Sequence, residues 1–325
     1  MEDDKEQFKN ANVLITGANG FIGSHIVKRM IQEGANVTII VRENADMWRI
    51  VDQLPDIQVI IGDLKDDELV LKTVLKAKAD YVFHLAAYGV DFRQQDYSEA
   101  AKSNILGTIN LLNGIRRVGG CSKFLYAGTS MQYGNKEGII TEEMKLEPAN
   151  IYGSTKAAAT LIAHQIAAEN NIGITTLIPF GVFGENEGSH KFFPHIILSI
   201  LDNKDVDLTM CEQYRDYCYI ENIVDGFLLA ALDRKHNNDI FNIGSGRINQ
   251  LRRYVDLIFK YMNTTCKPNY GAIEYRKNDL WRPQPDVSKL MEGLGWQPKI
   301  SLEEGLQYTI NWYRANYNRY KEKRR

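Results

Sequence analysis

Short runs rich in β-branched residues alternate with longer amphipathic stretches through the first half of the chain. The runs NVLIT at 12–16, NVTIIV at 36–41 and KFLYAGTS at 123–130 predict strands, and the stretches between such runs predict helices. The strands are apolar without a break, which is typical of strands covered on both faces. The chain is therefore predicted to have an α/β fold, a doubly wound parallel sheet with helices on both sides.

The alternation is regular to about residue 180 and loosens afterwards. We expect residues 1–180 to form the sheet domain. Residues 181–325 are expected to form mainly a smaller C-terminal α/β lobe, with some segments returning to the sheet. No low-complexity linker and no internal repeat separates the two parts. A chain of 325 residues is long enough for one large domain or two closely joined ones.

Composition and charge exclude several classes of function. A net charge of -2 argues against a nucleic-acid binder. No apolar run approaches the length of a membrane span, and the acidic N-terminus is unlike a signal peptide. The four cysteines lack metal-ligand spacing, so we expect reduced thiols, no metal site and a cytoplasmic protein.

Gly17, Gly20 and Gly23 follow the first predicted strand and open the first predicted helix. In that position Gly17 permits a tight turn, and Gly20 lets the backbone approach a pyrophosphate at the helix N-terminus. Gly23 lets the helix and the strand pack closely. The trio therefore predicts a dinucleotide-binding site.

The segment YGSTK places Tyr152 and Lys156 one helical turn apart on the same face. A phenol is a poor acid or base at neutral pH, because its ordinary pKa is about 10. A nearby ammonium and a positively charged nicotinamide would lower that pKa. Tyr152 could then transfer a proton at the same carbon at which a hydride moves.

These motifs together resemble the extended short-chain dehydrogenase/reductase family, from VLITGANGFIGSH at 13–25 to SLEEGLQYTINWY at 301–313. The resemblance implies a Rossmann-type sheet that binds a nicotinamide dinucleotide. GDL at 62–64 resembles the element that holds the adenine, and HLAA at 84–87 resembles the element that lines the middle of the cofactor. The implied cofactor-binding residues are Gly17, Gly20, Phe21, Ile22, Gly23, Arg42, Asp63, Leu64, Leu85, Ala86, Ala87, Tyr152, Lys156 and Pro179.

The end of the second strand bears on the choice of cofactor. A carboxylate there would bind both ribose hydroxyls of NAD, but the chain has Val41 followed by Arg42. Arg42 can pair with a 2′-phosphate or stack on adenine. This favours NADP(H) over NAD, and the alternative that Arg42 is a surface residue beside Glu43 stays open.

The segment KFLYAGTSMQYGN resembles the family element whose hydroxyl orients the reacting oxygen, here Thr129. The resemblance implies that Thr129, Tyr152 and Lys156 are the catalytic residues. Dehydratases of the family have an acidic pair directly after this hydroxyl, where this chain has Ser130 and Met131. Dehydration is therefore not expected, and Ser130 and Met131 are assigned to substrate contact.

The second half resembles the substrate-binding part of nucleotide-sugar enzymes of this family. YRDYCYIENIVDG at 214–226 and WRPQPDVSK at 281–289 are similar to its signature elements. The resemblance implies that Lys191 and Arg282 bind the diphosphate of a nucleotide-diphosphate sugar and that Arg215 contacts its ribose or phosphates. YGAIEYRKND at 270–279 is similar to a stretch of CDP-abequose synthase and related 4-ketoreductases.

We interpret the chain as an NADPH-dependent reductase of the C4 keto group of a nucleotide-linked 4-keto-6-deoxyhexose in deoxysugar biosynthesis. Two alternatives stay open: an NAD-dependent nucleotide-sugar 4-epimerase with a redox-neutral hydride cycle, and a non-catalytic NADP-sensing regulator. A homodimer paired through the helices at 100–118 and 152–170 is expected. His84 and His195 are expected to be packing residues. The nucleotide base and the sugar stay open.

Overall fold

Seven parallel strands form the central sheet of the computed structural model, which describes residues 7–91, 93–275 and 279–323. The strands of the central sheet and of the smaller sheets are, in chain order, β1 (Asn12–Thr16), β2 (Asn36–Val41), β3 (Gln58–Ile61), β4 (Tyr81–His84), β5 (Lys123–Ala127), β6 (Gly138–Ile140), β7 (Ile174–Pro179), β8 (Gly181–Phe183), β9 (Val206–Leu208), β10 (Tyr214–Tyr219), β11 (Asp239–Ile243), β12 (Ile248–Gln250), β13 (Pro268–Tyr270) and β14 (Pro283–Pro285). The helices are α1 (Phe21–Gln32), α2 (Asp67–Ala77), α3 (Tyr97–Ala101), α4 (Gly107–Val118), α5 (Ile151–Glu169), α6 (Phe192–Leu201), α7 (Ile220–Leu232), α8 (Leu251–Met262), α9 (Ser288–Leu294), α10 (Leu302–Ala315) and α11 (Tyr317–Lys323).

The order of strands in the central sheet is β3-β2-β1-β4-β5-β7-β11. All six pairings are parallel. The chain order reverses between β1 and β4, where Thr16 pairs with His84 at the carboxyl ends. This topology confirms the predicted doubly wound α/β fold. In such sheets ligands bind outside the carboxyl ends of the strands at the reversal.

Alternate residues of β1 pack into two different hydrophobic layers. Val13 and Ile15 belong to the layer that contains Val27 and Met30 of α1. Leu14 belongs to the opposite layer, with residues of α2, α4 and α5. Burying each such side chain stabilises the fold by about 1.5–3 kcal/mol. The unbroken apolar character of the strand follows from this two-sided burial.

The helix that the sequence predicts at 100–118 is present but is not regular along its length. A π-helical turn at Lys102–Leu106 joins α3 to α4. Such turns are rare, frequently occur at functional sites, and leave no mark in the 3.6-residue period of the apolar side chains. Asn104 lies in this turn and is 1% exposed.

The second lobe is built on a three-stranded sheet of β12, β10 and β8, against which α6, α8 and α10 pack. β11 lies beyond residue 180 and yet is the last strand of the central sheet. The segment EYRKNDLWRPQPDVSK at 274–289 contains β14, which pairs with β6. Its residues 276–278 lie outside the described residues. Within the described part of the chain, no helix combines the length and the apolar character that a membrane span requires.

Candidate active site

The turn after β1 forms a backbone cradle against the end of β4. Gly17 has a φ of 68°, and a Cβ there would lie 2.6 Å from the backbone nitrogen of Ala86. Only glycine fits this position without displacing β4. Gly20 is the N-cap of α1 and makes no side-chain cap, so the first N–H groups of this 12-residue helix are not satisfied by a capping side chain. Such a helix start favours an anionic ligand, and the cradle therefore fits a dinucleotide pyrophosphate.

Hydrogen bonds around His84 join the carboxyl ends of β1 and β4 to α4. The Nδ1 atom of His84 is 2.6 Å from Oγ1 of Thr16, and its Nε2 atom is 2.9 Å from Oγ1 of Thr108. Because the Thr108 hydroxyl donates to the carbonyl of Asn104, it accepts from Nε2–H of His84. Burial and the charge of Lys156 lower the pKa of His84 to about 3, so the imidazole is neutral. The predicted packing role of His84 is confirmed.

Several predicted cofactor residues lie at the carboxyl edge of the central sheet. The N–H groups of Leu85 and Ala86 donate to the carbonyl and the hydroxyl of Thr16. Pro179 is the last residue of β7. Phe21 and Ile22 begin α1, Gly23 is buried in its first turn, and Ala87 follows Ala86 in the loop after β4.

Arg42 and Asp63 lie at the neighbouring ends of β2 and β3, where the N–H of Gly62 donates to the carbonyl of Val41. Arg42 is exposed. The carboxylate of Asp63 accepts from the backbone N–H of Lys65 and is 3.3 Å from the Lys65 ammonium. Lys65, which the sequence interpretation missed, therefore orients Asp63. The carbonyl of Leu64, the residue between Asp63 and Lys65, accepts from Asn110 of α4.

Thr129 and Tyr152 meet where the turn after β5 touches α5. The Thr129 hydroxyl lies beside the Tyr152 phenol, where it lowers the pKa of that phenol, and it caps the turn at Ser130–Gln132. Gly153 allows this approach, because a Cβ there would lie 2.5 Å from the carbonyl oxygen of Met131. The N-cap residue Asn150 accepts from the N–H of Gly153 at 2.8 Å. The sequence placed Tyr152 on a helix but did not assign a role to Gly153.

Lys156 lies one turn further along α5 and is 1% exposed. Its Nζ atom lies 3.9 Å from the centroid of the Tyr126 ring. Burial lowers the pKa of Lys156 to about 7. Burial also raises the pKa of Tyr152 to about 12, against the opposing hydrogen bond from Thr129. Without cofactor, desolvation of the phenol is the dominant effect on Tyr152, and the lowering of its pKa by Lys156 together with a bound nicotinamide stays a prediction.

Asn104 is a site residue that the sequence interpretation missed. Its side-chain oxygen accepts from the N–H of Tyr88, and its nitrogen donates to the carbonyl of Tyr88 and to the hydroxyl of Thr155. Thr155 directly precedes Lys156, and Gly89 packs against the side chain of Tyr152. Asn104 therefore ties the loop after β4 to α5. No signal in the sequence indicates the π-helical turn that places it there.

The predicted substrate cations fall into two groups. Arg215 donates to the carbonyls of Tyr214 and Leu280 and pairs with Asp279 at 2.7 Å. Arg282 is exposed and stacks over the Tyr214 ring at 4.2 Å. The structure therefore brings Arg215 and Arg282 together around Tyr214. The sequence interpretation missed Asp279.

Lys191 is at a different place, as the N-cap of α6. The next residue, Phe192, stacks on Tyr217 of β10 with ring centroids 6.2 Å apart. Ser130 is half-buried, and Met131 is exposed beside α5. No cluster of potential metal ligands occurs among the described residues, and the four cysteines are free thiols.

Comparisons with known proteins find relatives along most of the chain. A family model described as "NAD dependent epimerase/dehydratase family" matches residues 13–244. An uncharacterised protein of Methanocaldococcus jannaschii is 29% identical over 322 residues, covering 95% of this chain and 98% of that protein. The Arabidopsis thaliana trifunctional UDP-glucose 4,6-dehydratase/UDP-4-keto-6-deoxy-D-glucose 3,5-epimerase/UDP-4-keto-L-rhamnose-reductase is 28% identical, covering 96% of this chain. The match covers 48% of that plant protein, so the chain spans about half of its length.

A solved structure is similar over nearly the same range. It is that of a UDP-glucose 4-epimerase from Thermotoga maritima with UDP-glucose. The TM-score is 0.85 at 28% sequence identity, and the match covers 94% of this chain and 99% of the other. The similarity extends over both lobes, so the fold of the second lobe is also similar to that of the epimerase.

Proposed function

Because the chain belongs to the NAD dependent epimerase/dehydratase family, we propose that it is an NADPH-dependent enzyme that acts on a nucleotide sugar. Its proposed reaction is reduction of the C4 keto group of a nucleotide-linked 4-keto-6-deoxyhexose. The observation that carries this choice is the exposed Arg42 at the end of β2, which follows Val41 where a carboxylate would select NAD. A net reduction consumes NADPH, whereas a redox-neutral 4-epimerase borrows hydride from tightly held NAD and returns it.

The proposed roles of the side chains follow from their positions. When bound, the nicotinamide cofactor supplies the hydride that adds to the C4 carbon. Tyr152 donates its phenolic proton to the C4 oxygen, which completes the alcohol. Thr129 donates a hydrogen bond to the same oxygen and orients it. Lys156 then faces a phenolate, whose negative charge its ammonium stabilises.

Dehydration is the less favoured activity of the family for this chain. Ser130 and Met131 follow Thr129, and neither a hydroxyl of ordinary acidity nor a thioether transfers protons at neutral pH. The substrate of the proposed reaction is the 4-keto product of such a dehydration, so a dehydratase would supply it. We assign the diphosphate to Lys191 and Arg282, whose positive charges complement it, and the ribose or phosphates of the nucleotide to Arg215.

The proposed cofactor is NADP(H). Arg42 is exposed at the end of β2, next to the end of β3. A guanidinium at this place pairs with a 2′-phosphate, and a valine precedes it where a carboxylate would select NAD. The glycine cradle and the start of α1 serve either dinucleotide, so the selection depends on Arg42.

A homodimer is proposed from the apolar surface of two helices. Leu161 on α5 is 62% exposed, and Tyr97 on α3 is 70% exposed. Leu106, in the π-helical turn, is 40% exposed. Helices that are apolar on two faces bury the second face against another subunit. Sedimentation of the wild-type protein and of Leu161→Glu tests the proposal, and a monomeric wild-type protein would reject it.

The test of function is the absorbance of the reduced nicotinamide. The protein is mixed with NADPH and with CDP-, dTDP-, GDP- and UDP-linked 4-keto-6-deoxyhexoses prepared by the corresponding dehydratases. Stoichiometric loss of NADPH and a new 6-deoxyhexose with an alcohol at C4 are expected with at least one of them. Absence of NADPH consumption with all four would reject the reductase.

The second candidate is a redox-neutral 4-epimerase, because the Thermotoga maritima relative of similar fold is a UDP-glucose 4-epimerase. The same three side chains serve that reaction. Tightly held NAD in the purified protein and interconversion of UDP-hexoses without net loss of NADPH would favour it. Binding of NADP without turnover of any nucleotide sugar would favour the non-catalytic regulator instead.

A further inference from the structure

The ammonium of Lys156 lies on the face of the Tyr126 ring. The distance from Nζ to the ring centroid is 3.9 Å, and both residues are at most 1% exposed. Among the described residues, no carboxylate forms an ion pair with Lys156. An isolated ammonium at such a depth is costly, because burial removes its hydration. The negative face of an aromatic ring compensates part of that cost.

The Tyr126 ring is held rigidly beneath the ammonium. Tyr126 lies in the middle of the sheet, where β5 pairs with β4 on one side and β7 on the other. The His84 ring is tilted against it with centroids 5.4 Å apart, and His84 is itself fixed by Thr16 and Thr108. A rigid ring leaves the lysine little freedom to move away, so the contact defines where the ammonium lies.

Within the described part of the chain, the hydroxyl of Tyr126 forms no hydrogen bond that would account for a tyrosine at this buried position. It is buried and makes no hydrogen bond with the described residues. The hydroxyl of Thr108 lies nearby and keeps a second lone pair beside the one that accepts from His84, but the Tyr126 hydroxyl does not reach it with normal hydrogen-bond geometry. An unsatisfied buried hydroxyl is unfavourable. The useful part of Tyr126 is therefore the face of its ring.

We propose that Tyr126 is a positioning residue whose ring holds the Lys156 ammonium in place at the cofactor site through a cation–π contact. This inference rests on the proposed function for its catalytic consequence, but the contact itself does not. The ring stabilises the charged form of the lysine, whereas burial lowers its pKa to about 7. Loss of the ring face is expected to lower the pKa of Lys156 further, by about one unit.

The test replaces Tyr126 with Phe, with mono-, di- and trifluorophenylalanine, and with Leu. Fluorine withdraws electrons from the ring face while the shape of the ring is largely retained. The pKa of Lys156 is measured by NMR in protein labelled with ¹³C at the lysine ε-carbon, without cofactor. The Lys156 resonance is the one that is missing from Lys156→Arg protein. Phe is expected to match Tyr, and the pKa is expected to fall stepwise with fluorination and to be lowest with Leu.

A matched control uses the same fluorinated residues at Phe124. This residue lies two positions earlier on β5, is equally buried, and packs beside His84 with ring centroids 5.8 Å apart. Fluorination at Phe124 is expected to leave the pKa of Lys156 unchanged. A pKa that stays constant across the Tyr126 series, or that falls equally in both series, would overturn the proposal.

Kinetics separate this inference from the proposed function. In the Tyr126 series, kcat for reduction is expected to fall with the pKa of Lys156, while KM for the sugar nucleotide stays constant. If the wild-type protein reduces no keto sugar but the stepwise pKa change is observed, the proposed function fails and the positioning contact stands. If reduction occurs and the pKa does not respond, the positioning inference fails alone.

Discussion

Thr16 and His84 face each other at the ends of β1 and β4, with Oγ1 and Nδ1 2.6 Å apart. Both side chains are completely buried. The contact lies at the point where the order of strands reverses, directly beneath the backbone of Ala86. It therefore fixes the surface on which the dinucleotide is proposed to lie. It also makes the fold sensitive to protonation of one imidazole.

Acid is expected to destabilise the protein through His84. The pKa of His84 is about 3 in the folded protein, against 6.5 for a free imidazole, because burial disfavours the cation. Between these values the unfolded chain binds a proton that the folded chain does not, so stability falls as pH decreases from 6.5 towards 3. The loss from this group approaches about 4 kcal/mol at the lower end. Urea unfolding of wild type and His84→Gln across this range measures it, and an unchanged pH slope in the variant would contradict it.

Removal of the proposed acid is expected to abolish chemistry without loss of binding. Tyr152→Phe lacks the phenolic proton, so kcat should fall by roughly 10²–10⁴-fold. Binding of NADPH, measured by its fluorescence, should change little. Thr129→Val should lower kcat as well, whereas Thr129→Ser retains the hydroxyl and serves as its control. A Tyr152→Phe protein with full activity would remove Tyr152 from the mechanism.

Lys156→Met is expected to be more stable than the wild type and inactive. Burial lowers the pKa of Lys156 from 10.5 to about 7, so between these values the unfolded chain binds more protons than the folded chain. Stability due to this residue therefore rises with pH across that window, by about 2–5 kcal/mol. The variant should lack this rise. Thermal unfolding at several pH values measures it, and equal pH dependence of the two proteins would argue against a buried ammonium.

Gly153→Ala is expected to separate α5 from the turn that carries Thr129. The added Cβ would lie 2.5 Å from the carbonyl oxygen of Met131, so one of the two segments must move. We expect a loss of about 1–3 kcal/mol in unfolding free energy and at least about a tenfold loss in kcat. The neighbouring Ser154→Ala tests for a general effect of alanine in this helix and should cost less than about 0.5 kcal/mol. Wild-type activity in Gly153→Ala would show that the contact is not required.

Arg42→Glu is expected to reverse the preference for the cofactor. The side chain is exposed, so stability should change by less than about 0.5 kcal/mol. The KM for NADPH should rise at least about tenfold, because a 2′-phosphate then faces a carboxylate, and NADH should become the better substrate. Glu43→Gln is the control for a change of charge in the same turn. If the ratio of kcat/KM for the two cofactors stays unchanged, Arg42 is a surface residue.

The features that the sequence predicted correctly are local or periodic. The two-sided burial of β1 follows from the unbroken apolar run, and the backbone turn at Gly17 follows from its place between a strand and a helix. The positions of Tyr152 and Lys156 on α5 follow from their spacing. These features need no knowledge of which distant segments meet.

The features that it missed depend on contacts between distant segments. Arg215 and Asp279 are separated by 64 positions, and their ion pair could not be deduced from either segment alone. The ring of Tyr126 reaches Lys156 because β5 and α5 pack together. Burial raises the pKa of Tyr152 by more than Thr129 lowers it. The π-helical turn that directs Asn104 inwards has no periodic signal. Each case depends on tertiary packing.

The position of β11 has a consequence for biosynthesis. The outer edge of β7 is paired by Asp239–Ile243, residues that leave the ribosome long after the first six strands of the sheet. Until then a nascent chain exposes the unpaired backbone of an apolar strand, which is a template for association with other chains. A truncated polypeptide that ends at residue 180 would retain this edge permanently, so it would be prone to aggregate even though the glycine turn after β1 is complete.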